Sequence, residues 1–106
     1  MKMLTKELLK RFEKVGRQDV DDPIVIAHFF NPQGAGDWYA TEYNSREEVF
    51  FGYVSISGDH NDEWGYFSLA ELSEYRGWLH LGIERDLHWD EIPASKVPKI
   101  AENWRP

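Results

Sequence analysis

The chain has 106 residues, of which 42% are hydrophobic and 15% aromatic, and its formal net charge is −7. This length supports one hydrophobic core, so we predict a single domain over residues 1–106. The absence of cysteine excludes disulfides, thiolate metal sites and a cysteine nucleophile. No apolar run approaches the roughly 20 residues of a membrane span and no signal-peptide region begins the chain, so we expect a cytoplasmic protein that does not associate with membranes.

The charge is divided unevenly along the chain. Residues 1–18 carry six basic and two acidic side chains, a net of +4, whereas residues 19–106 carry six basic and seventeen acidic ones, a net of −11. An acidic body repels phosphate backbones, so we expect that it does not bind nucleic acid directly. The basic segment either complements this acidic body or contacts a partner.

The first predicted element is an amphipathic helix in LTKELLKRFEKVG, with Thr5 as its N-cap and Gly16 at its left-handed C-terminal position. Three predicted strands follow, IVIAHFF at 24–30, WYATEY at 38–43 and EVFFGYVSIS at 48–57. Their short connections favour an antiparallel meander. The third strand is apolar on both faces, so we expect it to be central and covered on both sides.

The second half of the chain predicts a short helix, a strand and a last helix. Ser68 and Glu71 form an S-x-x-E capping box for a short helix that ends near Arg76 and Gly77. Alternation in WLHLGIERDLHW predicts a strand over 78–89, and Ser95 is expected to cap a final helix. The predicted class is α+β, an antiparallel sheet of four to five strands with an N-terminal helix, one short helix after the third strand and a C-terminal helix.

The most polar stretch is SGDHNDEWGYFS, residues 57–68, which raises the question of a metal loop, a catalytic loop or a turn. Counting from Asp59, oxygen ligands fall at alternate positions, but Trp64 stands sixth and Ala70 twelfth, where a calcium loop needs glycine and glutamate. The four histidines show no zinc spacing. We therefore predict no metal site and no cofactor, and a turn in which the acidic side chains bond their own backbone amides.

Carboxylates on the predicted strands are the candidates for acid–base chemistry. Glu42, Glu84 and Asp86 can act as acid and base if they share a cleft, although solvated carboxylates on a sheet are the commoner arrangement. Arg85 is predicted on the opposite face, either paired with a buried carboxylate or lying along an edge. His28 interrupts an apolar strand, as a base near Asp59 or Glu84 or as a hydrogen-bonded core histidine.

The stretches FFNPQGAGDWYATEYN, VFFGYVSISGDHNDEWGYFSLAEL and GWLHLGIERDLHW together resemble a family of small proteins known only as a domain of unknown function, found mainly in phages, plasmids and conjugative elements. The resemblance covers about residues 24 to 89. It implies a single-domain cytoplasmic protein carried on mobile DNA, and it brings no catalytic residues with it. The positions that carry it are Asn31, Pro32, Gly34, Trp38, Tyr39, Glu42, Gly58, Asp59, Asn61, Asp62, Glu63, Trp64, Gly65, Glu84, Arg85 and Asp86.

Two functions follow from these observations. The first is a non-enzymatic, acidic protein-binding module that acts on host DNA-binding or defence machinery by imitating its phosphate ligand. The alternative is a small hydrolase that uses carboxylates and histidine, with or without a metal ion. The predicted binding residues are Asn31, Trp38, Asp59, Asn61, Asp62, Glu63, Trp64 and Arg85. The catalytic candidates are Glu42, Glu84, Asp59 and His60.

Overall fold

A five-stranded antiparallel sheet forms the frame of the protein in the computed structural model, which describes residues 2–56, 62–77 and 79–103. The elements, in chain order, are α1 (Lys6–Val15), β1 (Ile24–Val25), β2 (Ala27–Phe30), β3 (Asp37–Asn44), β4 (Val49–Ser55), β5 (Glu63–Ser68), α2 (Leu69–Glu74), β6 (Glu84–Arg85), β7 (Ile92–Pro93), a 3-10 turn (Ala94–Lys96) and α3 (Pro98–Ala101). The strand order of the large sheet is β5-β4-β3-β2-β6, and a separate two-stranded sheet pairs β1 with β7. The predicted α+β class and its helices are confirmed.

Helix α1 begins and ends where its capping residues predict. The hydroxyl of Thr5 accepts a hydrogen bond of 3.1 Å from the amide of Leu8. Gly16 adopts a φ of 67°, the left-handed region that favours glycine, and donates its amide to the carbonyl of Phe12. The buried Phe12 ring packs edge-on against Phe50 of the sheet, with centroids 5.7 Å apart. Local sequence signals therefore set this helix, and its apolar stripe docks it.

The two faces of the sheet carry different cores. One face, here called the α1 face, packs Phe29 and Phe50 against α1 and α2. The other, the α3 face, packs Tyr39 and Tyr53 against the C-terminal segment that contains α3. Strand β4 pairs with β3 on one side and β5 on the other, which agrees with its predicted central place. The short α3 segment covers only part of its face. The beginning of β4 and the end of β5, which are paired with each other, lie open there.

A β-bulge in β3 changes which side chains reach each face. The register of β3 on β4 shifts between Ala40 and Glu42, so Thr41 is the extra residue. Strict alternation would place Glu42 on the same face as Ala40, in the α1 core. After the bulge, Glu42 lies opposite Phe51 on the α3 face, and Tyr43 lies opposite Phe50 on the α1 face. The bulge thus keeps a carboxylate out of the core and puts an aromatic ring into it.

The predicted strand over 78–89 is wrong except at its centre. Within residues 79–89, the part of this stretch that the structure describes, only β6 is strand, where Phe30 pairs with Glu84 and Phe29 pairs with Arg85. His80 has a φ of 62°, which breaks the extended chain, and its amide bonds back to the carbonyl of Gly77 to close a turn. As a result three leucines predicted to share a buried side are about half exposed or more, namely Leu79, Leu81 and Leu87.

Two further boundaries differ from the predictions. The 24–30 stretch is divided, because its first part pairs with β7 and its second part with β3 and β6. Ser95 does not cap the last helix: it lies in the 3-10 turn, and its amide and hydroxyl donate to the carboxylate of Asp22 at 2.9 and 2.6 Å. Pro98 occupies the first turn of α3, where its missing amide proton does no harm. No helix of the described residues is long and apolar enough to cross a bilayer.

Candidate binding groove and the His28 network

The residues predicted from the 57–68 stretch are only partly visible. Asp59, His60 and Asn61 lie outside the described residues, so their proposed roles stay predictions. Asp62 accepts a 2.8 Å hydrogen bond from the hydroxyl of Ser55, its neighbour across the β4–β5 connection. Glu63 begins β5 and is exposed.

The two candidate catalytic carboxylates on strands share a face but not a site. Glu84 is paired with Phe30, which is paired with Asp37 at the start of β3. Glu42 lies five residues further along β3, which corresponds to about 16 Å at about 3.3 Å per residue. Acid–base pairs in glycoside chemistry stand roughly 5 to 9.5 Å apart. The structure therefore does not bring Glu42 and Glu84 together.

The remaining predicted binding residues are spread over the molecule. The side chain of Asn31 accepts a hydrogen bond from the amide of Gln33 and shapes the loop between β2 and β3. Trp38 is half-buried and packs with the core on the α1 face. Arg85 lies on the edge strand β6, where its guanidinium donates to the carbonyl of Lys2 at 3.1 Å. It lies on the α1 face with Phe29, opposite to Glu84 as predicted. Of the predicted binding residues that the structure describes, Trp64 lines the larger of two clefts and Asn31 lines the smaller.

The larger cleft, here called the groove, has a volume of about 860 Å³. It lies between the ends of β3, β4 and β5 and the connection formed by residues 16–23, and its lining extends from the α3 face to Phe12 and Tyr43 at the edge of the α1 core. Its floor is aromatic and consists of Phe51, Trp64 and Tyr66. The rings of Phe51 and Trp64 lie within 18° of parallel, with centroids 6.1 Å apart. Tyr66 is tilted 63° to Phe51 at 5.0 Å and is 77% exposed.

The rim of the groove is acidic. Among its described lining residues, one cation is outnumbered by four carboxylates, namely Arg17 against Glu13, Asp19, Asp21 and Glu42. Such a concave surface concentrates negative potential above its apolar floor. The combination of flat aromatic rings and carboxylates suits a ligand that is both positively charged and partly apolar.

Gln18, a residue for which no role was predicted, holds in place the wall of the groove that residues 16–23 form. Its side-chain amide donates to the carbonyls of Ile24 and Thr41, and its side-chain oxygen accepts from the amide of Ile24, each at 2.8 Å. Its backbone amide donates to the carboxylate of Glu42, also at 2.8 Å. The wall is thus tied to β1 and to the bulge of β3, and the groove is formed before any ligand arrives.

The second cluster on the α3 face is centred on His28 and is here called the His28 network. The ring nitrogen Nε2 lies 2.7 Å from a carboxylate oxygen of Asp37, and Nδ1 lies 3.0 Å from one of Asp86. Lys99 of α3 bonds the other oxygen of Asp37. The imidazole stacks on the ring of Tyr39 at 4.7 Å, within 7° of parallel. The network therefore links β2, β3, the residue after β6 and α3.

The charges in this network reinforce one another. Burial opposes the charged form of His28, but its hydrogen bonds to Asp37 and Asp86 outweigh that effect and raise its pKa. Burial likewise disfavours the charged forms of Asp37 and Asp86. Their hydrogen bonds to His28, and for Asp37 also the bond from Lys99, nevertheless hold the pKa of each carboxyl below its usual value. Burial and the neighbouring carboxylates raise the pKa of Tyr39. The stable form is a protonated imidazole between two carboxylates.

This geometry makes His28 a poor general base. A base needs an unprotonated nitrogen within reach of its substrate, whereas both nitrogens of His28 contact carboxylates. A small cleft of about 430 Å³ opens beside the network and includes Asn31 in its lining. In the part of the chain that the structure describes, no group of three or more histidine, aspartate or glutamate side chains is arranged to hold a metal ion. We interpret the network as a structural one.

Comparison with known proteins gives one match. No curated protein sequence and no solved structure matches the chain. Residues 1–103 match a family model described as Protein of unknown function (DUF2958). The matched region includes α1, the groove and the His28 network, and it is longer than the 24–89 region that carried the resemblance noted above. Since the match spans 103 of the 106 residues, the chain belongs to the DUF2958 family of proteins of unknown function.

Proposed function

We propose that this protein is a non-enzymatic binding module that holds a positively charged segment of a partner protein in its groove. The observation that supports the proposal best is the combination of an aromatic floor with four rim carboxylates in one cleft. The body's net charge of −11 adds a long-range attraction for basic surfaces. The preformed wall, tied down by Gln18, lowers the entropy that binding costs.

The resemblance to proteins borne on mobile DNA narrows the proposed partner. Host nucleases and other DNA-binding proteins read phosphates with surfaces rich in lysine and arginine. An acidic groove competes for such a surface, and we place this activity in the cytoplasm, where those partners act. Because the acidic body repels phosphate, the protein itself does not bind nucleic acid in this proposal.

The test uses a fluorescently labelled decapeptide in which lysine or arginine alternates with serine, titrated with the intact protein while anisotropy is recorded. We expect Asp19→Lys with Asp21→Lys to weaken binding about tenfold, because each change replaces a rim attraction by a repulsion. We also expect the affinity for the peptide to fall steeply between 50 and 300 mM NaCl, because salt screens the attraction between exposed charges.

The matched control is Glu74→Lys with Asp90→Lys, which alters the net charge equally at two exposed positions outside the groove. This control should retain most of the affinity. Equal weakening by both double variants would mean that net charge, rather than the groove, attracts the peptide. Failure of the wild-type protein to bind the basic peptide at 50 mM NaCl would refute the proposed function.

A further inference from the structure

We infer that the groove floor is an arginine-selective subsite, in which the guanidinium of one partner residue stacks on an aromatic ring and pairs with Glu42. This inference rests on the proposed function, because it names the residue that the basic segment inserts. It is supported by the relative placement of one carboxylate and three rings on neighbouring strands.

The cross-strand register places these groups in a row. Glu42 on β3 lies directly opposite Phe51 on β4, and Phe51 lies directly opposite Tyr66 on β5. Directly paired residues have Cβ atoms about 5 Å apart, so the carboxylate and the phenol flank the Phe51 ring on its two sides. Trp64 lies two residues before Tyr66 on the same face and extends the flat surface. A planar cation above Phe51 therefore has Glu42 within the reach of its N–H groups, and Trp64 extends the surface on which it stacks.

The shape of this floor favours arginine over lysine. The guanidinium is planar, stacks on aromatic rings and presents its donors as a fork that matches a carboxylate. The ammonium of lysine is compact and strongly hydrated, so it gains less from flat rings and makes no bidentate contact. The nearly parallel rings of Phe51 and Trp64 provide flat surface rather than a closed cage.

The carboxylate is already oriented for such a contact. The Gln18 amide donates to Oε2 of Glu42 and fixes the side chain in the groove. A carboxylate accepts up to about four hydrogen bonds, so one backbone donor leaves capacity for a guanidinium. The bulge at Thr41 is what turns Glu42 into the groove in the first place.

The test compares two decapeptides of equal charge, one with four arginines and one with four lysines, each spaced by serine. We expect the wild-type protein to bind the arginine peptide about five- to tenfold more tightly. We expect Trp64→Leu and Tyr66→Leu to remove most of this preference, and Glu42→Gln to reduce it, while the lysine peptide loses less affinity. Tyr66 is 77% exposed, so its variant tests the floor even where Trp64→Leu fails to fold.

The matched control is Tyr75→Leu, since Tyr75 is an exposed aromatic residue outside the groove. It should leave the arginine preference unchanged. Equal binding of the two peptides by the wild-type protein would overturn the arginine subsite and leave the proposed function standing. Binding of neither peptide would overturn both. A preference that survives in both floor variants would also overturn the subsite.

Discussion

His28 lies in an apolar strand, yet its ring is held on both sides by carboxylates. A neutral imidazole donates through one nitrogen only, so bonds to both Asp37 and Asp86 require the protonated form. The charges of the network, two carboxylates against an imidazolium and the ammonium of Lys99, balance within the cluster. The network therefore contributes stability only in the pH range where all four groups are charged.

This balance predicts a pH-dependent loss of stability in His28→Asn, which retains at most one of the two contacts. The raised pKa of His28 means that its contribution is complete below about pH 6.5 and declines as pH rises through the folded-state pKa. The lowered pKa values of Asp37 and Asp86 mean that the contribution of these carboxylates to stability is complete above about pH 4 and declines as the pH falls further. We expect a deficit of about 2 kcal/mol between pH 5 and 6 that shrinks on either side.

Urea unfolding between pH 3 and pH 9 measures this deficit directly. The control is His80→Asn, because His80 is exposed and its positive φ of 62° is tolerated by asparagine. It should show a small difference from wild type that does not vary with pH. A deficit in His28→Asn that is the same at pH 5.5 and pH 9 would contradict the charged network.

Some of these groups can be recognised in the sequence, but their assembly into one network cannot. His28 and Asp86 are noticeable because each interrupts or follows a patterned stretch, whereas nothing in the local pattern marks Asp37 or Lys99. The four residues lie up to 71 positions apart, and only the pairing of β2 with β3 and the docking of α3 bring them together. Gln18 is missed for the same reason, since its partners on β1 and β3 are distant in sequence.

At the level of elements, the bulge in β3 determines what the groove contains. It turns Glu42 toward the open face and Tyr43 toward α1, where the Tyr43 ring packs 6.1 Å from Phe12. The strands approach so closely here that a Cβ on Gly52 would lie 1.9 Å from the carbonyl oxygen of Tyr39. Gly52 is thus the residue on β4 that permits the backbone arrangement beside the bulge.

We therefore predict that Gly52→Ala lowers the free energy of unfolding by about 3 kcal/mol, because the added methyl displaces backbone rather than a flexible side chain. The matched control is Gly65→Ala on the neighbouring strand, directly opposite Gly52, where an added Cβ meets nothing within 4 Å. It should change stability by less than about 1 kcal/mol. Thermal or urea unfolding of both variants measures the two effects. Equal stabilities of the Gly52→Ala and Gly65→Ala variants would contradict the close approach of Gly52 to the Tyr39 carbonyl.

Elements with local determinants are the ones that the sequence predicts well. Helix α1 has its N-cap, its apolar stripe and its terminal glycine within a short segment, so all three can be predicted from the local sequence, and all three are confirmed. The 78–89 stretch fails because alternation alone does not supply a partner strand, and β2 offers an edge that pairs with only two of its residues. The bulge could not be predicted for a related reason, since nothing in WYATEY marks Thr41 and only the pairing with β4 shows that it is the extra residue.

Over the whole molecule, charge is segregated between α1 and the acidic body. The lysines at 6, 10 and 14 are exposed and spaced four apart, so they repel one another along the helix by roughly 0.2–0.5 kcal/mol per pair. Glu7 and Glu13 offset part of this repulsion within the helix, and attraction to the acidic body can offset more of it. One direct contact is present, because Arg11 of α1 makes a bidentate pair with Glu91 at 2.7 and 2.8 Å.

We predict that reversing Lys6, Lys10 and Lys14 to glutamate destabilises the protein, because the change takes the net charge from −7 to −13 and sets an acidic helix on an acidic body. The expected loss is about 1–2 kcal/mol at 20 mM salt, given about 0.2–1 kcal/mol for an exposed charge interaction. At 0.5 M NaCl the loss should largely disappear, since screening then acts within about 4 Å. Urea unfolding at the two salt concentrations measures it.

The corresponding glutamine variant, which removes the three charges without reversing them, should lose about half as much stability at low salt. If reversal leaves stability unchanged at both salt concentrations, the lysines do not stabilise the fold by attraction to the acidic body, and we would then infer that they bind an external ligand. If reversal destabilises the protein equally at both concentrations, packing rather than charge is affected. Only a salt-dependent loss assigns the basic helix to its own acidic body.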